Sequence, residues 1–316
     1  KTIQTALKMK NKGMIIANDL SKSRANILLS NIERLGIANT VVTALDFSIH
    51  YTKFLNFFSK IILDAPCSGS GMFRKSDEMK ADWSYEKVLK NAAIQKELIL
   101  MCYKMLSPGG KMIYSTCSYS YEEDEEVVQY LLNNTDAIIE KIPNFKGDYR
   151  SKTIPESVHL FSSKFVGEGH YIALISKPGI LKNNIFTNIN ISRTNSTKGG
   201  IKEVNNYILP TKLPNNFEDF CLRPGLFTFT KIANKEIPSH HYSHYQTFSN
   251  QSIELNSFEI RKYLSGEVLN KKYPDGYYFV SYQGINLGVV HSVNGILKNL
   301  YPKGLRINSL INENFF

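Results

Sequence analysis

Two cysteines lie in short polar loops that each follow an apolar run. Cys67 stands in Asp64-Ala65-Pro66-Cys67-Ser68-Gly69-Ser70-Gly71 after Ile61-Ile62-Leu63, and Cys117 stands in Ser115-Thr116-Cys117-Ser118-Tyr119 after Met112-Ile113-Tyr114. If both runs are parallel strands of an α/β protein, both loops open on the crevice at the strands' carboxyl ends. Two thiols and a carboxylate gathered there imply covalent chemistry. A thiolate that adds to C6 of cytosine makes C5, otherwise a poor nucleophile, enamine-like and able to attack a methyl sulfonium. A base must then take the C5 proton so that the sulfur can leave. Such a reaction needs a thiol of lowered pKa, a group that protonates or holds ring N3, and a helper for elimination. Cys117, Asp64 and Cys67 could fill those roles. Cys102, among Leu100, Met101 and Met105, and Cys221 read as small packed hydrophobes.

The elements that must position these loops alternate in type. Met14–Asp19, Val41–Asp46, Lys60–Asp64, Lys111–Ser115 and Tyr171–Ser176 read as strands. Ser21–Leu35, Tyr85–Leu106 and Glu122–Leu132 read as helices, with Ser21 as an N-cap and the acids from Glu122 to Glu126 forming a solvated helix start. The alternation predicts an α/β domain over residues 1–178, its parallel sheet covered on both faces. Asp19, Asp46 and Asp64 each end an apolar run, where a carboxylate can hold ribose hydroxyls or an amine of a nucleotide-like ligand. Residues 179–206, rich in Asn, Ser, Thr and Lys, read as a linker. Residues 207–316 read as a smaller β-rich domain with a hairpin turning at Gln283-Gly284.

Composition narrows the partner. The chain carries a net charge of +10, with +4 in residues 1–178 and +6 in residues 179–316. A basic excess in both halves fits a polyanion, nucleic acid first. No apolar run is long enough for a membrane span, no signal peptide is visible, and four cysteines without a Cys-x-x-Cys pair suit a reducing cytoplasm and no cysteine-built metal site. His240, His241 and His244 lack an acidic partner in sequence and read as no metal site, and His159 and His170 read as structural. Arg74 and Lys75 are candidates for phosphate contact near the target base. Lys298, Lys303 and Arg306 with Tyr301 among them form a basic strip, in which the cations would position phosphates and Tyr301 would stack on a base.

At the two cysteine loops the chain resembles the NOL1/NOP2/Sun family of RNA cytosine-C5 methyltransferases. The resemblance rests on Asp64–Gly71 with Arg74-Lys75, and on Ser115–Ser118 followed by Glu122-Glu123 and Glu125. Leu106–Gly110 and Asn18-Asp19 with Ser21, Ser23 and Arg24 support it. It implies a Rossmann-like class I methyltransferase domain using S-adenosylmethionine. By matching position, Cys117 resembles the nucleophile, Cys67 the cysteine that assists product release, and Asp64 the acid contacting cytosine and the cofactor region. Asp19 resembles the ribose-binding acid, Asp46 the acid near adenine, and Arg24 belongs to the same cofactor segment. Lys1-Thr2 resembles the end of a Pro-Gly-Gly-Lys-Thr cofactor loop, so the domain reads as incomplete at its N-terminus, lacking its first strand and Gly-rich loop. Residues 1–316 alone are therefore expected to bind the cofactor weakly and methylate little. Glu236–His240, Tyr263–Glu267 and Val293–Arg306 resemble the PUA-like, RNA-binding C-terminal region of RsmF/YebU-type 16S rRNA methyltransferases. The implied substrate is 16S rRNA or the small ribosomal subunit, with transfer RNA methylation and a non-enzymatic RNA-binding role as alternatives.

Overall fold

In the computed structural model the apolar runs before the two cysteine loops are neighbouring strands, Phe58–Asp64 and Leu106–Thr116, paired in parallel with Asp64 opposite Ser115. The structure describes all residues except 11, 76, 182–188, 199–200, 210–212, 246–251 and 308–316. It divides into two units, residues 46–184 and residues 1–45 with 185–316.

In the 46–184 unit, His170–Ser176 runs antiparallel to Leu106–Thr116 and is flanked by Ile138–Glu140 and Val158–Leu160. The sheet is mixed, where a parallel one was expected. Met112 and Tyr114 are buried, while Ile62 and Ile113, paired on alternate positions, are 46% and 36% exposed. These two strands are thus not covered on both faces, as period-2 alternation dictates when only one face packs. The helix Tyr85–Met105 starts at Ser84, whose hydroxyl accepts from the Lys87 N–H at 3.2 Å. Its buried residues Val88, Ala92, Gln95, Ile99 and Cys102 recur every three or four positions and form one apolar stripe interrupted by Gln95. Cys102 is packed, and burial pushes its thiol up to about 12.

In the other unit, Ile15–Asn18 pairs in parallel with the fully buried strand Thr40–Thr43. Ser21 caps the helix Lys22–Arg34 as expected. Val42 donates to the Arg223 carbonyl at 2.8 Å, and the buried Arg223 guanidinium donates to the Ile37 carbonyl at 2.8 Å. Four antiparallel strands follow in the order Lys235–Pro238, Leu226–Ile232, Ile201–Leu209, Ile189–Lys198. Two of them fall largely inside the expected 179–206 linker. The correction has a physical reason: Ile189, Ile191 and Arg193 are half-buried while Asn190, Ser192 and Thr194 are exposed. Period-2 burial was thus masked by polar composition, and Arg193 fills its inward position by donating to the Cys221 carbonyl at 3.0 Å. Part of that segment, residues 182–188 and 199–200, lies outside the described residues.

A second four-stranded sheet joins Ser252–Glu254, Gly276–Tyr282, Ile285–Val293 and Ile296–Asn299. Its hairpin turns at Gln283 and Gly284, both at positive φ (49° and 77°), the pattern of a type I′ turn. The helix Ser257–Ser265, held by a capping box between Asn256 and Glu259, packs Ile260 and Tyr263 onto Val280, Val290 and Leu297.

The helix His240–Tyr245 buries His240 and half-buries His241 and His244. His240 Nε2 and His244 Nε2 lie 3.1 Å apart, and His241 Nε2 lies 3.2 Å from Glu33, with Arg223 beside them and the Tyr301 ring against His240. Burial depresses His240 to about 3 and His241 to about 4, from an ordinary 6.5. The folded values sit below the unfolded one, so the stability these neutral rings contribute is present above about pH 6.5 and lost as pH falls through the folded values. The urea midpoint of this unit is expected to drop between about pH 6.5 and 4, and His240→Asn should flatten part of that slope.

Candidate active site

Because the two strands are adjacent and parallel, their loops leave the same sheet edge side by side. Cys67 Sγ and Cys117 Sγ come within 2.8 Å, and the Cys117 N–H donates to Cys67 Sγ at 3.3 Å. Both thiols are half-buried. At this distance one thiol can donate to the other. The hydrogen bond from Cys67 holds Cys117 below the ordinary thiol range, against burial and the Asp64 charge, whereas the same hydrogen bond, burial and the neighbouring charge push Cys67 well up. The pair is thus divided into a more acidic and a more basic sulfur. Asp64, exposed at the strand end, accepts a 3.5 Å hydrogen bond from Ser115 Oγ.

Backbone contacts fix the loops. The Gly71 N–H donates to the Cys117 carbonyl at 2.8 Å, and the Gly169 N–H donates to the Gly71 carbonyl at 2.8 Å. A Cβ on Gly71 would stand 2.8 Å from both the Cys117 and the Gly169 carbonyl oxygens, so only glycine fits this approach. Ser70 Oγ accepts from the Tyr119 N–H at 2.8 Å.

The acids after Cys117 are not the solvated helix start expected. The helix runs Glu125–Asn134, and Glu123, Asp124 and Glu125 are buried. Glu123 Oε1 accepts from the Ser68 N–H at 2.7 Å, and its Oε2 accepts from Ser68 Oγ at 2.6 Å. Gln95 Nε2 donates to the Pro66 carbonyl at 2.6 Å. Asp124 Oδ1 accepts from Thr116 Oγ1 at 2.5 Å, and burial pushes the Asp124 carboxyl well up. His159 Nε2 lies 2.8 Å from Glu125 and its Nδ1 4.0 Å from Asp124, so His159 sits between two buried carboxylates. Only Glu122 and Glu126 face outward, toward the Tyr85 hydroxyl and Lys96. Sequence reasoning missed Glu123 and Gln95. A glutamine inside an otherwise apolar helix stripe was the readable signal for the second. Glu123 stood only among the residues that carry the family resemblance, since a run of acids by default reads as solvated.

The structure brings Cys67, Cys117 and Asp64 together at one edge. Asp19 and Arg24 pair with each other, Asp19 Oδ1 taking Arg24 at 3.0 Å and the Ser21 N–H at 2.8 Å. Lys1 is exposed at the start of the helix Thr2–Met9. Asp46 does not end the strand Thr40–Thr43. It caps a short helix by accepting from the Ser48 N–H at 2.9 Å, which holds its carboxyl below the usual range. Arg74 donates to the Ser162 and Gly167 carbonyls at 3.1 and 2.7 Å, and Lys75 is exposed. Lys298 and Lys303 are exposed. Tyr301 packs its ring against Tyr263 and His240, and Arg306 Nε donates to the Tyr301 carbonyl at 3.3 Å. The ring expected to stack on a base is thus engaged internally.

Residues 1–176 match the family described as 16S rRNA methyltransferase RsmB/F. The chain belongs to the RsmB/F methyltransferase family. Residues 250–307 further match the RsmF PUA domain, so an RsmB/F methyltransferase domain is followed by a PUA-like one. Among relatives, the ribosomal RNA small subunit methyltransferase F of Shewanella piezotolerans is 30% identical over 96% of this chain and 71% of its own length. The tRNA (cytosine(49)-C(5))-methyltransferase of Pyrococcus abyssi is 40% identical over 56% of this chain, which spans 60% of that relative. The crystal structure of PH0851 aligns with a TM-score of 0.52 and 27% identity, over 56% of this chain and 40% of that one. Among the described residues no helix is long and apolar enough to cross a membrane.

Proposed function

We propose that this RsmB/F family member methylates C5 of a cytosine in RNA, with 16S rRNA or the small ribosomal subunit as substrate. The observation that carries the reading is the pair of thiols 2.8 Å apart at one sheet edge, one made more acidic and the other more basic. In this account Cys117 attacks C6 and its sulfur stays bonded there while C5 is nucleophilic. Asp64, at the strand end beside Cys117, faces the ring edge and holds the N3 proton. After C5 is substituted, its proton is removed, C5=C6 re-forms and the electrons of the C6–S bond return to Cys117. Cys67 assists this release. While Cys117 is ionised Cys67 donates its proton to it; once Cys117 is bonded to carbon, Cys67 gives that proton up to solvent and, as the thiolate, takes the proton from C5.

The residues available fit an S-adenosylmethionine site by donor type. Asp19 is anchored through Oδ1 by Arg24 and the Ser21 N–H, and Asp46 through Oδ1 by the Ser48 N–H. Preorganised carboxylates of this kind suit ribose hydroxyls and an adenine amine. Lys1 and Asp64 complete the proposed set. When bound, the cofactor supplies an electrophilic methyl group. We assign residues 1–178 to catalysis and residues 207–316 to RNA binding, with Lys75, Lys298, Lys303 and Arg306 on phosphates and Arg74 bracing its own loop. The reduced thiols this chemistry needs suit a reducing cytoplasm.

Bisulfite mapping of ribosomal and transfer RNA from a deletion strain tests the reading. Loss of one 5-methylcytosine from 16S rRNA is the expected result. Loss from transfer RNA alone moves the substrate, as the Pyrococcus abyssi relative's name would suggest. No loss from either contradicts the enzymatic account.

A further inference from the structure

The mechanism leaves the Glu123 carboxylate, fully buried beside both thiol loops, without a task. Its two oxygens close on one residue, Ser68: Oε1 on the backbone N–H at 2.7 Å and Oε2 on the hydroxyl at 2.6 Å. Ser68 follows Cys67, and the residue before Cys67, Pro66, is held through its carbonyl by Gln95 at 2.6 Å. Gln95 Nε2 also reaches Glu123 Oε1 at 3.4 Å. Glu123 is itself fixed from the Cys117 side, because the Tyr114 hydroxyl on the Cys117 strand donates to its carbonyl at 2.5 Å. One buried side chain therefore ties the loop of one thiol to the segment that follows the other.

We propose that Glu123 is the positioning residue of the thiol pair, holding Cys67 in register with Cys117 and presenting a fixed negative charge to both. The inference rests on the catalytic reading above for its purpose, although not for its geometry. A carboxylate of this kind is costly to bury, and hydrogen bonds to it are the strong, charge-assisted kind. A serine or asparagine could hold Ser68 by hydrogen bonds alone. What a carboxylate adds is charge, and its field raises both Cys67 and Cys117, as the smallest influence after the hydrogen bond between them, burial and the nearer charges. For the attacking sulfur that is a handicap, offset by the hydrogen bond from Cys67. For the releasing sulfur it is an asset, since a thiol with a higher pKa is a stronger base once ionised.

The test separates charge from bonds, and uses a readout that needs no RNA. Glu123→Gln keeps the shape and can still accept from the Ser68 N–H but loses the charge. Ser68→Ala removes one bond and keeps the charge. Iodoacetamide labelling of Cys67 and Cys117 is followed by peptide mass spectrometry as a function of pH. The Gln variant is expected to label both thiols at lower pH, and to move the pH profile of methyl transfer the same way. Ser68→Ala should leave the midpoint in place and raise the labelling rate of Cys67. Its kcat should fall roughly 10-fold at unchanged KM for RNA. Labelling profiles in Glu123→Gln that overlay those of the unmodified protein overturn the assignment. If Glu123→Gln does not fold, Ser68→Ala decides, and unaltered Cys67 labelling there overturns it. A shifted profile in a protein that methylates no RNA upholds Glu123 as the thiols' positioning residue and overturns the proposed function instead.

Discussion

Replacing Cys117 with alanine is expected to abolish methyl transfer, lowering kcat by roughly 10⁴-fold or more, while the protein still folds and binds RNA. The size follows from the chemistry. Without a bond at C6, C5 of cytosine has no nucleophilic character to spend, and no electrostatic contact replaces that bond. The Cys117 side chain is half-buried at a loop, so truncation removes a small sulfur from a partly solvated position and opens no core cavity. A melting curve close to that of the unmodified protein, measured beside the methyl-transfer assay, separates lost chemistry from lost fold. Serine at the same position is expected to be equally inactive, since its hydroxyl does not ionise near neutral pH.

Replacing Cys67 with alanine is expected to leave attack intact and to stall release. The protein should then accumulate as a stable complex with RNA, resistant to denaturing electrophoresis and formed only when the methyl donor is present. Its turnover should fall by roughly 10²-fold or more, the scale of a lost acid–base helper. The paired variant Cys67→Ala/Cys117→Ala should form no such complex. Cys67→Ala also takes away the hydrogen bond that lowers Cys117, so initial attack is expected to shift toward higher pH. Single-turnover kinetics across pH would show this as a slower first step at neutral pH that recovers in mild base.

The site's core was legible because its signals are local and punctuated. Each cysteine follows an apolar run and is embedded in Gly, Ser or Thr, which reads as a strand end and a polar loop. Adjacent parallel strands then do the rest, placing two residues fifty positions apart within contact. The Ser21 cap and the Gln283-Gly284 turn were legible for the same reason, as each rests on residue types acting on their own backbone.

What sequence did not disclose depends on tertiary burial. Five consecutive acids from Glu122 to Glu126 carry no mark saying that the middle three turn inward. They do so because Ser68, Thr116 and His159 wait for them, and two of those partners, Ser68 and His159, come from distant segments. Asp46 read as a strand-end residue because the strand was expected to continue to it. The strand stops at Thr43 and the carboxylate caps the next helix. Tyr301 read as a stacking platform because it is an aromatic among lysines; in the fold its half-buried ring packs against Tyr263 and His240. The Asn- and Thr-rich hairpin passed for a linker because its composition is polar and one of its inward positions is an arginine.

The central claim is a division of labour in which Cys117 attacks and Cys67 releases. Its most direct test is peptide mass spectrometry of the RNA complex trapped by Cys67→Ala, after nuclease digestion. The account predicts a cytidine-derived mass, carrying the added methyl group, on the peptide that contains Cys117. A nucleotide mass on any other residue, or methyl transfer surviving in Cys117→Ala, would contradict it.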